Sequence, residues 1–320
     1  MLKLIRMLVD WLLPVFFSFI RPLIKWFLRS FTRLSEIQRI VYGAPAGAVR
    51  TIRVENCLQQ SRNQLIQETI NEFNTIVENC SDEEFEQMPA RMVSIVSRTK
   101  NIKPSSHPDF GHLLGRCVEQ IWSYRRLVYT VDHLRAIPYD SNNLQHEEML
   151  LELWNYLMPN EPLTGRISKQ WQDIGFQGDD PKTDFRGMGI LGLENLLYLA
   201  REYNNTARHI LSHSMHPTSG YTFAIVGINL TYMAFNLLKD EEAKTHFYNN
   251  AESFKQPCSL EHFNKFYSYL FFEFDHYWID SNPTNIMDFR SIFQSFEVII
   301  MEALHDKNCL FKSNLIVEDI

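Results

Sequence analysis

Glycine is scarce in this 320-residue chain, with 12 in all, and no segment keeps up a long alternation of apolar and polar residues. Without period-two segments there is no call for strands, and helices must carry the fold. The five cysteines (Cys57, Cys80, Cys117, Cys258, Cys309) are odd in number, widely separated and include no CxxC pair. That pattern supports neither a disulfide framework nor a zinc site, and it fits a reducing compartment. His209 and His213 share a helix face, but no Glu or Cys completes a metal set, so no metal is expected. A Walker A loop, a kinase signature and a Ser-His-Asp set are all missing, so no cofactor or nucleotide site of its own is expected. Long hydrophobic runs are missing too. The longest charge-free stretch near the N-terminus is Trp11–Ile20, ten residues, against the roughly 20 that a spanning helix needs.

Acidic residues outnumber basic ones, 38 to 31, for a formal charge of −7, which argues against nucleic acid as a partner. The balance is uneven. Residues 1–53 hold nine basic side chains and only Asp10 and Glu36 on the acidic side. The chain therefore pairs a basic end with an acidic body, as expected where one end meets an anionic surface. Residues 1–32 (MLKLIRMLVDWLLPVFFSFIRPLIKWFLRSFT) are far more apolar than an exposed helix needs to be. Pro14 and Pro22 break or kink them. Arg21, Lys25 and Arg29 recur every fourth residue, and tryptophans at either end suit headgroup depth. The reading is an interfacial or re-entrant membrane anchor. Its competitor is a helix docked on the body. No small-x-small cleavage site follows to make a signal peptide.

Helical periodicity dominates past residue 50. Phe263, Phe266, Tyr267, Leu270, Phe271, Phe274 and Trp278 form one core stripe. Phe289, Ile292, Phe293 and Phe296 form another, as do Leu150, Leu153, Trp154 and Leu157. Residues 222–238 are apolar on nearly every face and read as a central buried helix. Breaks are expected at 104–108, 138–143 and 160–163. The expected organisation is an all-α helical bundle in four parts. They are a membrane-associating segment (1–35), an N-terminal helical region (36–135), a core (136–305) and a tail (306–320).

One stretch departs from helical grammar: Trp171 through Gly189, WQDIGFQGDDPKTDFRGMG. Gly175, Gly178 and Asp179-Asp180-Pro181 impose turns. Gly187 and Gly189 remove side chains before the next helix and are expected to let another molecule approach. Trp171, Phe176 and Phe185 can pin the loop to the bundle. A pinned, glycine-rich loop holding one arginine is a way to present a rigid cation.

The spacing Trp171-x3-Gly175-Phe176-Gln177-x3-Pro181-x-Thr183-Asp184-Phe185-Arg186-Gly187-x-Gly189 resembles the signature of the ELMO domain at every motif position. HEEMLLELW (146–154), RISKQW (166–171) and GYTFAIVGINLT (220–231) agree with it. The likeness covers nearly the whole chain and is to the small ELMO domain-containing proteins. It implies GTPase activation toward GTP-bound Arf-family, chiefly Arf-like, GTPases, with Arg186 as the required arginine finger. It also implies a cytosolic membrane face, of endoplasmic reticulum or lipid droplet, with a cytosolic pool. Trp171, Gly175, Phe176, Gln177, Pro181, Thr183, Asp184, Phe185, Gly187 and Gly189 then shape the loop or touch the partner. A structural ion pair from Arg186 to Asp180 or Asp184 is the competing role. A non-catalytic adaptor for a small GTPase or exchange-factor complex is the competing function.

Overall fold

Polar side chains fix where the helices begin. The computed structural model describes residues 23–24, 26–312 and 315. The expected membrane segment up to residue 22, and most of the tail past Lys312, lie outside them. Ser35 and Gln38 cap one another reciprocally at the start of α1 (Glu36–Gly43), with N···O distances of 3.4 and 2.9 Å. After α2 (Ala48–Gln59), Asn63 accepts the Ile66 amide at 3.2 Å and opens α3 (Gln64–Ile76). Ser81 and Glu84 repeat the reciprocal cap at α4 (Asp82–Lys100). Asp82, Glu83 and Glu84 sit in its first turn and Arg98 and Lys100 in its last, opposing the helix dipole at both ends. α5 (Phe110–Ala136) follows the expected proline break.

The chain divides into two units, Met1–Ile121 and Trp122–Ile320. In the first, α3 packs on α4. Ile66, Ile70 and Phe73 on α3, and Phe85, Met88, Met92 and Val96 on α4, are buried at helical spacing. Ahead of α1, residues 26–32 are helical, and Leu23, Ile24, Trp26, Phe27, Leu28 and Phe31 are all exposed.

The second unit holds α6 (Leu144–Leu157), α7 (Gly189–Glu202), α8 (Asn204–Ser214) and α9 (Phe223–Lys239). α10 (Lys244–Phe254), α11 (Leu260–Asp280) and α12 (Phe289–Leu304) follow. α7 packs on α6, α8, α9 and α11, and all but Glu194, Arg201 and Glu202 of its residues are buried. α9 covers the apolar 222–238 segment and is mostly buried, although Tyr232 is 56% exposed. It flanks α7, which is the enclosed hub. The α11 stripe is core throughout, with each of its seven residues at most 1% exposed. The α12 stripe is only half-buried apart from Phe296, because α12 packs chiefly on α11 along one side. No strand occurs among the described residues, and no helix there is long and apolar enough to cross a membrane.

His246 on α10 lies inside, with Phe247, Phe266 and Phe311 rings at 5.1, 5.1 and 5.4 Å. Its Nδ1 accepts the Phe311 amide at 3.1 Å, which ties the chain end to α10. Burial, with His262 nearby, pushes its pKa from 6.5 to about 3. A histidine held neutral in the fold favours folding above its unfolded pKa, and that contribution is lost as pH falls. Stability should therefore decline between pH 6.5 and 3, by up to about 1.4 kcal/mol per pH unit from this group. In urea titrations His246→Gln should start less stable at pH 7 and show a decline shallower by about one proton.

Candidate functional site

The 171–189 segment forms two short 3-10 turns, Lys169–Ile174 and Pro181–Arg186, joined by Gly175 to Asp180. Each has a local reason to start. Ser168 accepts the Gln170 amide at 3.2 Å, and Asp180 accepts the Lys182 amide at 3.0 Å with Pro181 preset at the first helical position. The loop is fastened by a run of rings. Trp171 meets Trp154 edge-on at 5.4 Å and Phe176 at 5.8 Å. Phe176 meets Phe185 at 5.6 Å, and Phe185 stacks on Tyr139 at 5.4 Å. Trp171 is 0% exposed, and its Nε1 donates to the Arg166 carbonyl at 3.0 Å, so the buried indole leaves no unmet donor.

Two glycines let the loop seat. Gly175 has φ +86°, and a Cβ there would stand 2.3 Å from the Phe223 nitrogen. Its carbonyl accepts the Ile225 amide at 3.3 Å in the first turn of α9, where Thr222 offers no side-chain cap. Gly189 has φ +52°, and a Cβ there would lie 2.3 Å from the Ile137 carbonyl and 2.4 Å from that of Arg135. This corrects the expectation that Gly189 makes room for another molecule: the close approach is made by the chain's own backbone at the C-terminal end of α5. Gly187 keeps open space around it and is exposed.

Ionic groups divide sharply. Arg166 Nε donates to Glu147, and its Nη1 donates to Asp180 at 2.9 Å. The guanidinium also lies 5.8 Å over the Tyr139 ring, whose hydroxyl donates to Glu147 at 2.6 Å. Burial and that carboxylate push the Tyr139 phenol up. Burial alone would ease the proton off Arg166, but its bonds to Glu147 and Asp180 outweigh this and hold it on more firmly. Asp184 accepts the Gln177 amide at 2.9 Å, tying the connector to the second turn. Arg186 is exposed, and its side chain makes no ion pair or hydrogen bond among the described residues. Asp180 and Asp184, the acids expected to compete for it, are engaged elsewhere.

The ELMO/CED-12 family profile matches residues 129–293, over half of the chain and all of this site from Tyr139 to Gly189. This chain belongs to the ELMO/CED-12 family. ELMO domain-containing protein 2 of Homo sapiens is 45% identical over 290 residues, covering 91% of this chain and 94% of that protein. ELMO domain-containing protein 1 of Mus musculus is 41% identical over 319 residues, with 94% and 93% covered. ELMO domain-containing protein B of Dictyostelium discoideum is 33% identical over 287 residues, with 89% and 95% covered.

In this ELMO family member the motif residues separate by burial. Trp171, Phe176, Pro181 and Phe185 are buried and shape the loop from inside. Gln177, Thr183, Arg186 and Gly187 face outward, and Asp184 is half-buried. Nothing in the sequence pattern marks Tyr139, Glu147, Arg166 and Asp180 as a connected group. HEEMLLELW and RISKQW carry two of them, but an ion pair spanning 19 residues leaves no periodic signal. Gly175→Ala and Gly189→Ala should each cost about 2 to 4 kcal/mol, from a strained φ and a backbone clash. Gly187→Ala should stay within about 0.5 kcal/mol. Urea midpoints at unchanged slope check the contrast.

Proposed function

We propose that this protein is a GTPase-activating protein for Arf-family, chiefly Arf-like, small GTPases, with Arg186 acting in the partner's nucleotide site. What supports the reading is that Arg186 is an exposed cation without a partner among the described residues, on a loop fixed from beneath by Trp171, Phe176 and Phe185. GTP hydrolysis builds negative charge on the transferring phosphoryl group and the leaving oxygen. The GTPase already holds the nucleotide and its magnesium. A guanidinium brought from outside stabilises that charge, and arginine fingers contribute roughly 10³ to 10⁵ in rate. That corresponds to about 4 to 7 kcal/mol. A lysine cannot copy the planar fork that addresses two oxygens at once.

The membrane is the second half of the proposal. Phe27 and Phe31 stack on one exposed helical stripe, with Leu28 beside it and Arg29 away from it, and Leu23 and Ile24 are exposed too. An apolar face with a basic back suits attachment to a cytosolic membrane surface. There it would meet a membrane-borne GTPase.

Because a finger acts on charge that exists mainly in the transition state, Arg186→Ala and Arg186→Lys should bind the GTP-loaded partner within about threefold of the parent chain. Both should lose about 10³-fold or more of the stimulated hydrolysis. Melting temperatures should barely move, since the side chain makes no bond to the described residues. Hydrolysis across a panel of Arf-like GTPases, with affinity and melting on the same variants, tests this, and a full-rate Arg186→Ala chain sinks it. Weakened binding with no hydrolysis to lose would instead identify an adaptor. Deleting residues 1–32 should move the protein to the soluble fraction with its melting transition intact. Aggregation of the truncated chain would show that the segment covers the body.

A further inference from the structure

We propose that Arg166 is the positioning residue of this site, holding the Arg186 loop in its working place through Asp180. The inference rests on the reading of Arg186 as the reacting cation. Four separate pieces of chain meet at the Arg166 guanidinium. Glu147 comes from α6, Asp180 from the cap of the Pro181–Arg186 turn, Tyr139 from the turn after α5, and Arg166 from the loop between. Side-chain exposure is 26% for Arg166, 17% for Glu147 and 34% for Asp180, so these pairs are shielded from bulk water. Asp180 carries a double duty. The Oδ1 that receives Arg166 Nη1 also accepts the Lys182 amide and so starts the turn that ends in Arg186.

Other polar ties on this loop carry no ion pair: the Ser168 amide donates to the Asp179 carbonyl and the Gln177 amide to Asp184, both at 2.9 Å. Lys182 reaches Ser141 at 3.3 Å, and Gln172 reaches Asp179 at 2.9 Å, both exposed. Burial fixes Pro181 and Phe185, and the Asp180 carboxylate is what ties the start of the turn to a charged partner. Without the guanidinium, Glu147 and Asp180 face each other as like charges across the space it filled. The cap would move outward and carry Arg186 with it. Misplacement of a reacting group by about 1 Å costs on the order of 10²-fold in rate, even when the chemistry itself is untouched.

The test uses the full chain with Arg166→Met, and with Asp180→Asn as the gentler variant. The asparagine keeps the oxygen that caps the turn and the Arg166–Glu147 pair, so it removes only the charge that anchors the loop. Two readouts are taken. In single-turnover hydrolysis with a responding GTPase, the rate at saturating activator should fall about 30- to 100-fold for Arg166→Met, with the half-saturating concentration within about threefold. In limited trypsin digestion, cleavage after Arg186 should rise about tenfold relative to cleavage after Arg201, with each protein held equally far below its melting temperature. Asp180→Asn should move both readouts the same way by a smaller factor. Adding Glu147→Gln to Arg166→Met should recover part of the digestion effect by removing the repulsion. An unchanged plateau and an unchanged cleavage ratio overturn the inference. So does a rate loss that follows only the drop in melting temperature. If the parent chain accelerates no GTPase, the proposed activity fails while the cleavage ratio still decides the role of Arg166.

Discussion

The indole of Trp171 is wholly out of solvent, and the geometry of the loop follows from keeping it there. Its ring is closed in by Trp154 and Phe176 and its one donor is met by the Arg166 carbonyl. Ordering an irregular segment costs roughly 1–2 kcal/mol of backbone entropy for each residue fixed. Burial of large rings is the term that can offset this, with edge-to-face contacts adding about 0.5–1.5 kcal/mol each. The ring run from Trp154 to Tyr139 brings that stabilisation to the loop from beneath, which leaves the outer face free of apolar side chains from the motif. A rigid loop with a polar outer face results.

Arg166 and Arg186 stand twenty positions apart and do opposite work. Arg166 is shielded and gives its Nε and Nη1 donors to Glu147 and Asp180, while Nη2 is buried without a partner among the described residues. Removing such a partner would strand carboxylates in a poorly hydrated place, so this arginine is coupled to the loop's shape. Arg186 is exposed and has no internal partner among the described residues. The acids that could neutralise it are committed: Asp180 to Arg166 and the Lys182 amide, Asp184 to the Gln177 amide. Saturating the nearby acceptors is a physical way to keep one cation available to a ligand charge. The family assignment and this charge arrangement are independent observations, and the proposed activity draws on both.

Much of the fold is legible in the amino-acid order alone. The α11 stripe, the α6 stripe and the absence of strands among the described residues follow from 3.6-residue periodicity, and caps such as Ser81–Glu84 are written within four residues. The Asp180-Pro181 start of the second turn and the odd density of glycine near Arg186 are legible for the same reason, since their causes are local. Half-burial of the α12 stripe is not, because periodicity reports which residues share a face and says nothing about how many neighbours cover it. The choice of α7 as hub is hidden likewise. Its sequence is less apolar than that of α9, and only its packing on four helices marks it as the more enclosed of the two.

At the site, the sequence by itself determined the inventory: one arginine in a pinned, glycine-rich loop with aromatic anchors. Tertiary structure alone decided the roles. Gly189 reads in the sequence as a gap for a visiting molecule, and the fold uses that gap for the Ile137 and Arg135 carbonyls. Asp180 reads as a candidate partner for Arg186 and belongs to Arg166, whose other partner lies 19 residues earlier on α6. Distance along the chain does not encode which charges meet when helices pack. Local spacing could name the cation, and only the packed bundle could leave it unpaired.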